Sequence, residues 1–229
     1  MFMEDIKKSG FIIINKSSGP TSHDVVNQLR RITGIRKIGH AGTLDPFASG
    51  VLVCAIGRET TKQISLYIKS DKEYKAEIFL GAVSDTYDRT GKIKERDIRN
   101  SILIKDVKKI LEKFIGPQKQ VPPMYSAVKR GGKKLYELAR QGIEVERGFS
   151  EIEIYSIKLI KYEWPILKIN IKCSTGTYIR SLAYDMGEEL GCGAYLNELK
   201  RTAVGDFNIK DAVSIKDLTP DNWFKFLIK

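Results

Sequence analysis

The loop Gly39–Gly50 contains the carboxylate with the most unusual surroundings in this sequence, that of Asp45. Pro46 follows Asp45 directly, and Gly42 stands three residues before it. An ionised carboxylate can act as a nucleophile, and neighbouring glycines let other groups approach it closely. The loop holds no second carboxylate, so the paired acids of a glycosidase are not indicated. The spacing alone favours a simpler role for Asp45, which is to cap the turn before Pro46.

A second candidate group lies in Thr177–Arg180, which follows a glycine loop and opens a predicted helix. At such a junction Tyr178 and Arg180 could face a cleft. The pattern alone favours a surface arginine and a half-buried tyrosine. Tyr74 is the third candidate, although a single aromatic residue in an alternating strand usually belongs to the core.

Basic residues form the fourth candidate group. Lys and Arg number 39 and Asp and Glu 28, which gives a net charge of +11 and indicates nucleic acid first and an anionic membrane second as the polyanionic partner. A solvated charged face is the usual explanation of such residues. Their concentration in two short segments favours phosphate contact instead: Lys129, Arg130, Lys133 and Lys134 on a predicted hairpin, and Arg30, Arg31, Arg36 and Lys37 near a helix end.

Hydrophobic periodicity predicts the elements that must position these residues. Alternating or continuous apolar runs predict five strands, at Phe11–Ile14, Val51–Ile56, Lys72–Leu80, Ile152–Ile160 and Ile166–Cys173. Gly39–Gly50 is predicted to be irregular, because it is rich in glycine and contains proline. Met124–Leu135 is predicted to be a hairpin with Gly131-Gly132 as its turn.

Capping signals place the helices. Thr21 and Asp24 resemble a capping box, and Gly34 suits the end of that helix. Further helices are predicted around Val107–Phe114, at Leu135–Arg140, from Ile179 to Leu190, and after Thr219 as N-cap. Strands and helices alternate without a regular βαβ rhythm, which predicts an α+β domain with a mixed sheet.

Ligand sets for metals and nucleotides are missing from the sequence. The chain has two histidines, His23 and His40, and no Cys-x-x-Cys motif, so no zinc site is visible. Neither glycine-rich nucleotide-binding motif occurs. We therefore expect neither a metal nor a cofactor.

The charge pattern, the N-terminal residues and the cysteines predict a cytoplasmic protein with no membrane association. The longest stretch without charges, Pro46–Gly57, has 12 residues, and a spanning helix needs about 20. The first ten residues lack the apolar core of a signal peptide. The chain has three cysteines, and their number and spacing do not suggest a disulfide framework, which fits a reducing compartment.

Taken together, six segments resemble the TruB family of pseudouridine synthases, bacterial enzymes that act on the T-loop uridine of tRNA, conventionally numbered 55. They stand in the family's order and spacing, between about Phe11 and Val213. The segments are Asn15–Val26, Gly39–Gly50, Lys72–Tyr74, Val121–Leu138, Gly176–Arg180 and Leu190–Ala194. The resemblance implies a pseudouridine synthase fold with a central mixed, largely antiparallel sheet flanked by helices and loops. It also overrides the turn-capping interpretation of Asp45.

The resemblance implies roles for single residues. Asp45 matches the catalytic aspartate, Arg180 the arginine that pairs with it, and Tyr74 the aromatic residue that stacks on the target base and helps move a proton. The remaining matches are contacts to the base or the RNA: Tyr178 beside the arginine, Leu199 in the base pocket, His40 against the flipped bases, and Lys16 in a motif where the family has Lys-Pro. Ser17 replaces that proline here.

The largest departure from the family is at the C-terminal end. Members usually continue into a small RNA-binding domain of the PUA type, whereas this sequence stops at Lys229. We expect one catalytic domain over residues 1–229, acting as a monomer on the T stem-loop of tRNA without a protein partner.

Several alternatives stay open at this point. An RNA-guided synthase of the archaeal and eukaryotic type shares the aspartate loop but depends on a C-terminal domain and partner proteins. A non-catalytic RNA-binding or RNA-folding protein would not need Asp45, Tyr74 and Arg180 together. A DNA-binding protein would show a helix-turn-helix or zinc pattern, which is not found. The sequence does not decide whether the aspartate attacks C1′ of the sugar or C6 of the base.

Overall fold

The structure is a computed structural model that describes residues 9–98 and 101–228. Most of the N-terminal segment considered for a signal peptide, residues 1–8, lies outside that range. The chain divides into two compact units. One comprises the described residues up to Tyr74 together with those from Leu199 onward, and the other comprises Lys75–Glu198. Two strands, β4 (Lys72–Leu80) and β12 (Ala194–Val204), contribute residues to both.

The first unit is built on a small mixed sheet. Strand β1 (Gly10–Lys16) pairs antiparallel with β3 (Ser49–Ile56), and β2 (Ile38–His40) also pairs antiparallel with β3. The last residues of β12 run parallel to β3, with Arg201 opposite Gly50, and then pair antiparallel with β13 (Phe207–Asn208). The helices of this unit are α1 (Ser22–Thr33) and α2 (Arg58–Ile68), followed near the C-terminal end by 3-10 turns at Ile209–Asp211, Ile215–Asp217 and Trp223–Phe226.

The core of this unit fills the space under β1 and β3. Phe11, Ile13, Val51 and Val53 are buried there with Phe207. Tyr67 of α2 stacks edge-on against Phe11, with ring centroids 4.6 Å apart. Both strands bury nearly every residue, so they can hold the loops at their ends in fixed positions.

The second unit is an antiparallel sheet with helices. Strand β11 (Ile166–Cys173) pairs with β10 (Ser150–Glu163), and β10 pairs with β7 (Gly116–Gln120). Two short hairpins accompany this sheet, one from β5 (Ala82–Ser84) and β6 (Ile93–Glu95) and one from β8 (Lys129–Arg130) and β9 (Lys133–Lys134). The helices are α3 (Ile104–Lys113), α4 (Leu135–Ala139) and α5 (Ile179–Glu189).

The capping signals of α1 are confirmed. Thr21 Oγ1 accepts a hydrogen bond from the Asp24 main-chain N–H at 3.0 Å, and the Thr21 N–H donates to the Asp24 carboxylate at 2.9 Å. Gly34 ends the helix in the left-handed conformation, at φ 73°. The capping box therefore fixes the conformation of the main chain where the loop after β1 meets the start of α1.

Other local predictions need correction. The helix predicted after Thr219 is wrong, because Asn222 and Trp223 both donate to Thr219 O and form a turn before a single 3-10 turn. The irregular segment is shorter than predicted, since Gly39 and His40 belong to β2 and Ser49 and Gly50 to β3. Helix α2 and strand β12 were not predicted.

The fold class is confirmed. The first unit has a mixed sheet and the second an antiparallel sheet, each accompanied by helices and loops, which is an α+β arrangement. Within the described residues, no helix combines the length and apolar character that a membrane span requires.

Candidate active site

The Asp45 loop connects β2 to β3 in the first unit, and Asp45 itself is half-buried. The Ala48 N–H donates to the Asp45 carbonyl at 3.1 Å and makes a tight turn around Pro46. Residues of the segment that follows β1 form hydrogen bonds to this turn. The Gly19 N–H donates to Pro46 O at 2.8 Å, and Ser18 Oγ donates to Phe47 O at 2.9 Å. The carboxylate is thus carried by a loop whose main chain is fixed by hydrogen bonds.

A second contact fixes the other side of the same loop. The Leu44 N–H donates to the buried Ser22 hydroxyl at 2.9 Å, and that hydroxyl lies 3.1 Å from Leu44 O. Because Ser22 is the first residue of α1, these hydrogen bonds attach the start of the helix to the residue before Asp45. The motif Asn15–Val26 is therefore explained as the support of the Asp45 loop.

Lys16 is a buried cation beneath this loop, only 1% exposed. Its ammonium donates to three main-chain carbonyls, those of Ser17 at 2.9 Å, Pro20 at 2.9 Å and Pro46 at 3.2 Å. Burial lowers the pKa of Lys16 to about 8, while the negative charge of Asp45 acts in the opposite direction. Lys16 therefore holds the loop and places a positive charge near Asp45, whereas RNA contact by Lys16 stays a prediction.

We expect the pKa of Lys16 to appear as a pH dependence of stability. Between about pH 8 and the unfolded-state pKa of about 10.4, the unfolded chain binds more protons at this residue than the folded chain. The free energy of unfolding of the native protein should therefore rise with pH relative to Lys16→Met, by up to about 1.4 kcal/mol per pH unit. Urea unfolding of both proteins at pH 7.5 to 9.5 measures this difference. Lys62→Met, at an exposed lysine, is the control, and a difference that stays constant with pH would show an ordinary pKa for Lys16.

The other predicted residues of the first unit lie on strands. His40 ends β2 opposite Cys54, and burial, followed by the charge of Arg201, lowers its pKa and favours the neutral imidazole. No partner for His40 Nδ1 occurs among the described residues, although this atom is buried. Tyr74 on β4 and Leu199 on β12 are each 8% exposed.

Arg180 is a buried cation in the second unit, 4% exposed and in the first turn of α5. Its Nη1 lies 3.6 Å from Asp88 Oδ2 and donates to Thr86 O at 3.2 Å, and its Nη2 donates to Tyr125 O at 2.8 Å. A guanidinium held by several acceptors at once has a fixed orientation. Arg180 is thus a core cation, and the simple interpretation of a surface arginine is wrong.

Asp88 is the partner of Arg180 that the sequence did not reveal. It is 3% exposed, and its Oδ1 accepts hydrogen bonds from the Thr90 N–H at 2.9 Å, the Thr90 hydroxyl at 2.5 Å and the Thr86 hydroxyl at 2.9 Å. These donors stabilise the buried Asp88 carboxylate, because Arg180 lies near its Oδ2 and the other oxygen needs its own hydrogen bonds. Asp88 is therefore a buried carboxylate that faces the Arg180 guanidinium and helps to hold it in place.

Tyr178 is held at the start of α5 by Gln120. The Tyr178 N–H donates to Gln120 Oε1 at 2.8 Å, and Gln120 Nε2 donates to Tyr178 O at 3.0 Å. Ser181 Oγ donates to Val121 O at 2.8 Å. The start of α5 is thus attached to the residues that lead into the basic hairpin.

The basic hairpin itself is exposed. Strands β8 and β9 place Lys129 opposite Lys134 and Arg130 opposite Lys133, and the side chains of Lys129, Arg130 and Lys133 are accessible. Close, exposed positive charges of this kind suit a phosphate backbone.

The predicted site residues fall into two groups. Lys16, His40, Asp45, Tyr74 and Leu199 belong to the first unit, and the hairpin residues, Tyr178 and Arg180 to the second. The pairing of Asp45 with Arg180 joins the two units and stays a prediction. Among the described residues, no group of three or more His, Cys, Asp or Glu side chains is arranged to hold a metal ion.

Comparison with known proteins decides the family. Residues 30–179 match the model of the TruB family pseudouridylate synthase N-terminal domain, and residues 180–225 match that of the tRNA pseudouridylate synthase B C-terminal domain. This chain belongs to the TruB family. The resemblance found in the sequence is confirmed, and the two matches together cover Asp45, Tyr74 and Arg180.

Individual relatives agree with this assignment. The chain is 48% identical to tRNA pseudouridine synthase B of Geotalea uraniireducens, over 91% of this chain and 67% of that protein. It is 49% identical to the protein of the same name from Protochlamydia amoebophila, over 90% of this chain and 78% of that one.

Solved structures show the same fold. A crystal structure of a Cbf5-Nop10-Gar1 complex contains a chain that matches with a TM-score of 0.75 and 28% identity. The match covers 98% of this chain and 57% of the other, so this chain spans little more than half of that relative.

Proposed function

We propose that this TruB family member isomerises the T-loop uridine at position 55 of tRNA to pseudouridine, with Asp45 as the nucleophile. The observation that carries the proposal is Asp45 itself, in a loop fixed by main-chain hydrogen bonds in a chain about 48% identical to proteins named tRNA pseudouridine synthase B. The enzyme is an isomerase. The N1 glycosidic bond breaks, the uracil turns, and C5 bonds to C1′ of the sugar, with no net gain or loss of atoms.

The carboxylate must be ionised to attack either C1′ or C6. Transfer into a dry pocket raises the pKa of a carboxylate, and nearby cations oppose that rise. Lys16 supplies one such charge from within the same unit. Arg180 supplies a second in this proposal, by pairing with Asp45 as the family resemblance implies.

The base must leave its stack before it can react. Tyr74 is proposed to stack on the flipped uracil, an interaction worth about 1–3 kcal/mol, and to help remove the proton from C5. Leu199 contributes an apolar wall to the base pocket, and His40 lies against the flipped bases as a neutral imidazole. Tyr178, held by Gln120, stands beside Arg180.

The exposed charges are proposed to hold the RNA by its backbone. Lys129, Arg130 and Lys133 contact phosphates of the T stem, whose A-form shape is recognised without base readout. The enzyme acts in the cytoplasm, where its tRNA substrate is found, as a monomer that needs no protein partner.

The test of this proposal is a purified-protein assay on an unmodified T-arm stem-loop, without guide RNA and in the presence of a chelator. Pseudouridine at the position equivalent to 55 supports the proposal. The specific alternative is the RNA-guided type of synthase that the sequence left open. Modification only after a guide RNA is added would favour that alternative, and loss of activity with the chelator would contradict the metal-free chemistry.

Binding of tRNA is expected to weaken steeply with salt, because each neutralised phosphate releases counterions. A variant with Lys129, Arg130 and Lys133 changed to Ala should reduce the slope of log K against log salt by about 0.7–0.9 for each phosphate that is no longer neutralised. Fluorescence titrations from low to moderate salt measure the slope. The control changes Lys62, Lys113 and Lys161, which already pair with glutamates, and removes the same charge. Equal slopes for the two triple variants would show that the hairpin does not bind the RNA backbone.

A further inference from the structure

We propose that Arg201 is a positioning residue for catalysis, whose guanidinium joins the two ends of the Asp45 loop and thereby sets the position of the carboxylate. This inference rests on the proposed function for its effect on rate. The underlying contact can be tested without it.

Among the residues that the structure describes, Arg201 is the largest fully buried side chain, at 1% exposure. Its Nε donates to Val51 O at 2.8 Å, and its Nη2 donates to Gly42 O at 3.0 Å. Gly42 is the second residue of the loop, three residues before Asp45, and Val51 is the third residue of β3, which follows the loop. One planar group thus binds the main chain on both sides of Asp45.

The acceptors explain why the residue is an arginine. Within the described part of the chain, the hydrogen bonds that the structure gives Arg201 go to main-chain carbonyls, so the guanidinium does not serve as half of a surface ion pair. Burying a cation costs free energy unless its N–H groups find acceptors, which two carbonyls supply here. A guanidinium suits this position because it donates from two separate nitrogens in a fixed plane, Nε to Val51 O and Nη2 to Gly42 O, whereas an ammonium donates from a single nitrogen.

The pairing of β12 with β3 fixes the position of the Arg201 main chain, from which its side chain extends. Arg201 lies opposite Gly50 in the parallel pairing of β12 with β3. Gly50 has φ 104°, and a β-carbon there would overlap the main chain of Arg201. Because β3 and β12 approach so closely at this point, the guanidinium reaches the loop from a rigid strand.

The Asp45 loop is bound by two separate parts of the chain, the segment that follows β1 and Arg201 of β12. The segment from Lys16 to Ser22 binds the middle of the loop, at Leu44, Pro46 and Phe47. Arg201 binds its flanks. A nucleophile that is misplaced by about 1 Å can lose about 10²-fold in rate, so both supports bear on catalysis.

The experiment compares the native protein with Arg201→Lys, which keeps the positive charge but lacks the planar guanidinium with its separate donor nitrogens. Three quantities are measured: the single-turnover rate of pseudouridine formation at saturating enzyme, the Kd for tRNA, and hydrogen exchange of peptides covering residues 41–51. Val204→Ala, a core change in the same strand, is the control for a general loss of stability. If Arg201→Lys does not fold, Arg201→Gln, which carries no charge, takes its place.

We expect Arg201→Lys to lose about 10²-fold in single-turnover rate with little change in Kd, and to show faster exchange in residues 41–51 but not in α5. The loss should be equal across pH, because the positive charge is kept. A native single-turnover rate in the lysine variant would overturn the proposal, as would an equal loss in Val204→Ala at matched stability. If the native protein itself makes no pseudouridine, the proposed function fails, and unchanged exchange in residues 41–51 would then separately refute the contact.

Discussion

Asp45→Asn is expected to abolish detectable pseudouridine formation, a loss of at least about 10³-fold, while the protein still folds and binds tRNA. The amide keeps the size of the side chain, and the loop is held mainly by main-chain groups of Leu44, Pro46 and Phe47. A neutral amide is a very poor nucleophile. Affinity for tRNA should stay the same or rise, because one negative charge near phosphates is removed.

Asp211→Asn, at an exposed carboxylate of the same unit, is the matched control. Pseudouridine yield and tRNA binding are measured on the same preparations of both variants. The turn-capping interpretation makes the opposite prediction, because asparagine is also a good turn former. An Asp45→Asn enzyme that retains an appreciable fraction of the native rate would remove Asp45 from the catalytic role.

Arg180→Lys is expected to lose roughly 10²-fold in rate although the charge is conserved. The native guanidinium meets Asp88, Thr86 O and Tyr125 O with two different nitrogens, and one ammonium cannot reproduce that arrangement. The fold should persist, because a cation still faces Asp88. Single-turnover rates and thermal unfolding of the variant test both parts of this expectation.

Arg96→Lys is the control for this second variant, since Arg96 pairs with Glu188 at an exposed site of the same unit. Its rate should match that of the native protein. If Arg180→Lys also retains the native rate, the predicted pairing of Arg180 with Asp45 is contradicted at that position.

The sequence predicted most of the elements that carry the site. Strand β4 begins and ends where its alternating pattern does, and the capping box of α1 forms as Thr21 and Asp24 indicated. These signals are local, because each depends on residues a few positions apart. The basic hairpin was found in the same way, although its paired strands are only two residues long.

The residues that the sequence missed act over long distances in the chain. Asp88 meets Arg180, and Arg201 meets Gly42, only after the chain has folded. Strand β12 mixes charged and apolar residues and therefore shows no clear alternating pattern. Its Arg201 is buried although it is charged, because main-chain carbonyls accept its hydrogen bonds. Local spacing carries no information on such partners.

The role of Asp45 at position 55 is tested by position-resolved mapping of pseudouridine in one unmodified tRNA transcript, after a single turnover with the native enzyme and with Asp45→Asn. We predict pseudouridine at position 55 with the native enzyme and none above background with the variant. No modification at position 55 by the native enzyme at saturation would contradict the proposed activity, and equal yields from the two proteins would contradict Asp45 as the nucleophile.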